Sequence, residues 1–141
     1  MEPNTESTTD TVVVAVPFIS GEAHSDFLEG ELVFEPADPY AVSMNLQARS
    51  GTVTWTFARA LLEQGLYSPS GDGDVHVWPC LSGSGDAVVI IELCSPDGTA
   101  LLQAPSRTVH DFVVRTLDIV PSGQESAHLA LDSLIKQLLT T

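Results

Sequence analysis

Positive charge is what this sequence has least of. Arg49, Arg59, Arg107, Arg115 and Lys136 stand against nineteen Asp and Glu, for a formal net charge of -14. Firm contact with a phosphate backbone draws on roughly 6 to 10 clustered cations. Five scattered ones do not supply that, and the same balance argues against an anionic membrane surface. Protein and small-molecule partners remain. Cysteine is scarce as well: only Cys80 and Cys94 occur, with no CxxC pair, so neither a paired-cysteine zinc site nor a disulfide framework is signalled. Cys94 lies inside an apolar run and reads as a small buried hydrophobe. No apolar run has the length needed to span a bilayer. The start, MEPNTESTTD, is acidic where a secretory signal would be basic, so the expected location is cytoplasmic. Residues 1–10 read as a disordered acidic leader and 11–141 as a single domain.

What the chain does have is apolar substance. At 141 residues and 43% hydrophobic, it can hold one core without metal or disulfide staples. Alternation predicts strands over 11–20, 31–36, 40–48, 52–57, 75–79, 87–94 and 99–104, the last two joined through the turn SPDG. In YAVSMNLQA, Val42, Met44 and Leu46 share one face and Ser43, Asn45 and Gln47 the other, so one side of that strand meets water. Pro79 confines the strand of VHVWP to an edge or an end. The period then turns helical in three places. Ala58, Leu61, Leu62, Gly65 and Leu66 predict a short helix. Val109, Phe112, Val113, Leu117 and Val120 predict a second, and Asp132 reads as the N-cap of a third.

Short connections make neighbouring strands antiparallel. The expected class is therefore α+β: a strongly curved sheet or open barrel of about seven strands with packed helices. TVVVAVPFIS and AVVIIELC are apolar on both faces, more than three helical segments cover, which predicts an oligomer.

Chemistry is weakly signalled. In SPSGDGDVHVWPC, Asp72, Asp74, His76 and Trp78 fall at alternate positions, and on one strand they would share a face. The two carboxylates are embedded in a Gly-Asp run, however, and the spacing lacks the later Glu of a calcium loop. The stretch reads as a turn entering a strand. His110 and Asp111 are helix neighbours pointing about 100° apart, so they form no relay. His24 and His128 are isolated, and Ser82 and Ser95 lack the strained setting of a nucleophile. SGSGD, at 82–86, has no following Lys or helix and reads as a hairpin loop. No catalytic, cofactor-binding or metal residue is expected, and the protein is not expected to be an enzyme.

Four blocks in order, ADPYAV (37–42), TWTFARALLEQGL (54–66), GDGDVHVWP (71–79) and LCSPDGTALLQAP (93–105), resemble the SsgA-like proteins of sporulating actinomycetes. The resemblance implies a cytoplasmic, non-catalytic adaptor of sporulation-specific cell division without cofactors. It is similar in length to the SsgB branch, which is held to recruit FtsZ to septum sites. The implied partners are FtsZ and other SsgA-like proteins; the implied fold is Whirly-like, assembled as a homotrimer. Within GDGDVHVWP the match rests on Gly73, Asp74, Val75, Val77, Trp78 and Pro79, and leaves out Asp72 and His76. It makes Trp55 and Trp78 core or interface anchors, and Pro39 and Tyr40 a fixed turn. Arg59 and Arg115, cations on helices, are expected to pair with acids, within one chain rather than across a subunit boundary. Two alternatives stay open. Whirly proteins bind single-stranded nucleic acid, which the charge opposes, and a metal-dependent enzyme would use the 72–76 turn.

Overall fold

The computed structural model describes residues 10–21 and 26–139. All of the acidic leader except Asp10, and His24, lie outside the described residues. Among the described residues there are eight strands: β1 Val12–Ser20, β2 Asp26–Phe34, β3 Ala41–Ala48, β4 Gly51–Ala58, β5 Ser70–Asp72, β6 Val75–Leu81, β7 Ala87–Ser95 and β8 Gly98–Pro105. Three helices accompany them: α1 Arg59–Gly65, α2 Ser106–Ile119 and α3 Glu125–Leu139. Two antiparallel meanders, β1 to β4 and β5 to β8, lie side by side in the order β4-β3-β2-β1-β8-β7-β6-β5. The two outer strands, β4 and β5, are therefore consecutive in the chain. Their connection contains α1, which touches β3 and β4 on one side and β5 and β6 on the other. The sheet curls into a half-barrel, as the sequence predicts, and α1 spans its open side.

The seam between the two meanders has a chemical cause. β1 and β8 pair only at Ile19 with Gln103 and Ser20 with Leu102. Continued two residues further, that register would oppose Pro17 to Pro105, and neither has an N–H to give. The ladder stops there. α2 follows Pro105 directly and packs against β1, β7 and β8 across the opening.

One face of the sheet and the two helices form the core. Val12, Val16 and Phe18 of β1, Val42, Met44 and Leu46 of β3, and Val89, Ile91 and Leu93 of β7 meet Leu61 and Leu62 of α1 and Val109, Phe112 and Val113 of α2. On the outer face of β3, Asn45 receives a hydrogen bond from Thr54 at 2.7 Å and donates one to Glu31 at 3.0 Å. The polar row expected of YAVSMNLQA is there. The outer face of β1 is different: Val13, Ala15 and Pro17 are exposed, so the described residues cover only one side of that strand.

The eighth strand, β5, falls in the stretch read as a turn. Ser70, Gly71 and Asp72 carry no apolar alternation, yet their backbones pair with Val77, His76 and Val75. β5 ends before Pro79 is reached, which leaves that proline on a free edge. The third helix is also earlier than expected. Asp132 is not its N-cap but lies inside α3, where it pairs with Lys136 at 3.2 Å. The apolar period begins late in α3, and its first turn is held by residues from elsewhere in the fold.

Gly65 sets how closely α1 approaches the sheet. A Cβ there would come within 2.2 Å of Val77 Cγ1 and 2.5 Å of its Cβ. On propensity alone, Gly→Ala in a helix interior gains about 1 kcal/mol. Gly65→Ala is expected to do the opposite, costing about 1–3 kcal/mol by overpacking. A denaturant titration reads the sign directly.

Candidate functional site

The turn at 72–76 does not assemble as its spacing suggests. Asp72 ends β5, Gly73 takes a positive φ of 62°, and His76 lies on β6, so the two aspartates do not share a strand with the imidazole. Both are exposed. What the fold brings to His76 is Glu92 of β7, directly opposite in register, with Nδ1 and Oε1 3.3 Å apart. Cys94, two residues along the same face of β7, is half-buried rather than part of the core. No local pattern signals this grouping, because Glu92 and Cys94 are distant in the chain and join His76 only through strand register. His110 and Asp111 are exposed neighbours 3.7 Å apart. The 82–86 segment is a hairpin loop, with the Ser82 N–H bonded to the Asp86 carbonyl at 2.8 Å.

A second constellation lies where α1, α2 and α3 meet. Arg59, at the start of α1, is 2% exposed, and its guanidinium stands 5.1 Å from the centre of the Phe34 ring. One terminal nitrogen donates to the Thr116 carbonyl of α2 at 3.2 Å, the other to Glu125 Oε2 at 2.9 Å. The other oxygen of Glu125 accepts the Gly123 N–H at 2.9 Å. These bonds, the Arg59 side-chain bond above all, hold the Glu125 carboxyl below its ordinary value of 4.5. The Arg59 N–H donates to the Tyr40 carbonyl at 2.7 Å, and the Tyr40 hydroxyl pairs with Ser126 in the first turn of α3. The blocks ADPYAV and TWTFARALLEQGL thus converge on one task, fixing the base of α3. Arg59 pairs within the chain, as expected; Arg115 is exposed.

Beyond that base α3 stands apart from the core. None of its described residues is buried. Leu131, Leu134 and Ile135, at i, i+3 and i+4, form one row at 59%, 50% and 45% exposure. A cleft of 400 Å³ opens at the end of the half-barrel, lined by Leu46, Val53, Trp55, Leu93 and Leu102. Trp55 packs on the core from there and Trp78 is half-buried on the outer face. No helix among the described residues is long and apolar enough to cross a membrane.

Comparison with known proteins gives one consistent set. Residues 28–125 match the family described as Streptomyces sporulation and cell division protein, SsgA. The sporulation-specific cell division protein SsgB of Streptomyces coelicolor is 47% identical over 109 residues, covering 77% of this chain and 79% of its own. The protein of the same name from Salinispora tropica is 39% identical over 135 residues, 94% of each chain. Among solved structures, one from a study of SsgB mutations in Streptomyces coelicolor superposes with a TM-score of 0.77 at 41% identity, covering 89% of this chain and 99% of that one. The SsgA-like sporulation-specific cell division protein of Thermobifida fusca gives a TM-score of 0.79 at 28% identity, over 94% and 98%.

Proposed function

Because the chain belongs to the SsgA family of sporulation and cell division proteins, we propose that it acts in sporulation-specific division as a non-catalytic adaptor that gathers FtsZ at septum sites. Relatives named for sporulation-specific cell division support the setting. The observation that carries the adaptor reading is α3: a helix fixed at its base by Arg59 and Tyr40 and exposed along an apolar row. A helix held in this way is shaped for another protein rather than for its own core.

In this reading the α3 rows and the bare outer face of β1 pack copies of the chain into a homotrimer. The trimer then presents identical surfaces to a filament. Several weak contacts made together add through effective concentration, so FtsZ accumulates where the adaptor sits without any bond being made or broken. Co-sedimentation with purified FtsZ in the presence of GTP tests this. The adaptor and extra FtsZ are expected in the pellet together. Unchanged FtsZ pelleting, with all of the adaptor left in the supernatant, overturns it.

A further inference from the structure

We propose that His76, Glu92 and Cys94 form a binding site for Zn²⁺ on the outer face of β6 and β7. The inference is independent of the division reading. The ligand atoms of the three side chains all lie within 4.8 Å of one another. In a tetrahedral zinc site, bond lengths of about 2.0–2.3 Å put neighbouring donors roughly 3.3–3.8 Å apart. Small side-chain rotations close that difference, with no change in strand register. Register already does most of the positioning: His76 and Glu92 are a cross-strand pair, and Cys94 is the next outward residue of β7. The Cys94 N–H is fixed in turn by the Asp74 carbonyl at 2.8 Å.

Two further features favour a cation here over a plain His–Glu contact. His76 Nδ1 is shut off from solvent and makes no hydrogen bond. Glu92 Oε1 is within ion-pair distance at 3.3 Å but is not aligned to accept from it, so this nitrogen is left without the bond a buried polar atom requires. The imidazole also rests over Gly71, its partner on β5. A Cβ at that position would meet His76 Cδ2 at 2.3 Å and Nε2 at 3.0 Å. Glycine at 71 therefore clears the space the ring occupies.

The donor set selects the metal. One thiolate, one imidazole and one carboxylate suit zinc among the common divalent cations, whereas magnesium and calcium take oxygen ligands. Side-chain exposures of 42% for His76 and 30% for Glu92 leave a path for the ion to enter. The fourth position is open for water, next to a cleft of 290 Å³ that also borders Gly71 and Trp78. On binding, the Cys94 thiol loses its proton to solvent and sulfur becomes the ligand. The bound ion ties the β5–β6 hairpin to β7.

Titration of the reduced full-length protein with Co²⁺, with Mg²⁺ in excess to occupy surface acids, tests the site. One equivalent is expected to give the visible bands of tetrahedral cobalt and a thiolate-to-cobalt charge-transfer band, and Zn²⁺ should abolish both. Cys94→Ser should remove the charge-transfer band while Cys80→Ser keeps it. His76→Gln should weaken binding by at least the 10–100-fold that lost outer-shell contacts cost at metal sites. A wild-type protein without the band, or a band that survives in Cys94→Ser, overturns the proposal. Should Cys94→Ser fail to fold by circular dichroism, alkylation of the wild type decides. Zn²⁺ must slow modification of Cys94 and leave that of Cys80 unchanged; equal rates with and without Zn²⁺ at Cys94 overturn it.

Discussion

Arg59→Met is expected to destabilise the protein by about 3–5 kcal/mol, the cost of removing one member of a buried ion pair. On a chain of this size that corresponds to a fall in Tm of roughly 10 °C or more. Arg59 is almost wholly buried, and its two side-chain hydrogen bonds reach α2 and α3. Methionine fills much of the volume over Phe34 and answers neither acceptor. The Thr116 carbonyl then has lost its Arg59 partner, and the Glu125 carboxylate, only 15% exposed, has lost its counter-charge. Replacing Glu125 as well, in Arg59→Met/Glu125→Met, should return part of the loss, because apolar pairs of similar shape substitute well for buried ion pairs. Arg115→Met, on the exposed side of α2, should stay within about 0.5 kcal/mol. Thermal melts of the four proteins separate the buried cation from the exposed one.

The same contact gives a pH dependence with a definite sign. The Glu125 carboxyl titrates below its ordinary 4.5, chiefly because Arg59 hydrogen-bonds to it. A folded-state value below the unfolded one means stability that is present in full above 4.5 and is lost as pH falls through the lower, folded value. The loss should appear first at α3, whose base the carboxylate holds. Hydrogen-exchange protection along α3, taken relative to the intrinsic rate at each pH, should therefore fall on acidification before protection in β3 or β7 does. Glu125→Gln should flatten that response.

The parts of this structure legible in the sequence are those where one side chain reports its own surroundings. Val42, Met44 and Leu46 alternate with polar residues, and that alternation alone predicts which face of β3 is buried. The stripe of Val109, Phe112 and Val113 does the same for α2. β5 was not legible, because Ser70, Gly71 and Asp72 pair through backbone atoms and bury nothing of their own. The start of α3 was missed for a related reason: Glu125 and Ser126 look like loop residues until Arg59 and Tyr40, far away in the chain, are brought against them. The turn at 72–76 stands out in the sequence for its carboxylates, yet the grouping in the fold uses His76 with two residues of β7. Register made it, and register appears in no local pattern.

If copies pack through the α3 row as proposed, Leu131→Glu, Leu134→Glu and Ile135→Glu together are expected to convert the proposed trimer to monomers and to abolish the proposed FtsZ co-sedimentation, with little change in the melting of the single subunit. The three side chains contribute nothing to the core, being 45–59% exposed, so the fold has little to lose. An interface built on them would lose its apolar anchors and acquire three carboxylates per subunit, and single anchors at such centres are worth about 2 kcal/mol or more. Charge sharpens the test. Each wild-type subunit carries a net charge of -14, so copies in the proposed trimer would meet against mutual repulsion, and added salt should strengthen that association by screening it. Association driven instead by ion pairs between subunits would weaken as salt rises. Sedimentation velocity across a salt series reports both. A triple variant that sediments like the wild type would show that the α3 row is not where copies meet. Monomers that still carry FtsZ into the pellet would separate assembly from recruitment and move the proposed filament contact off the proposed trimer.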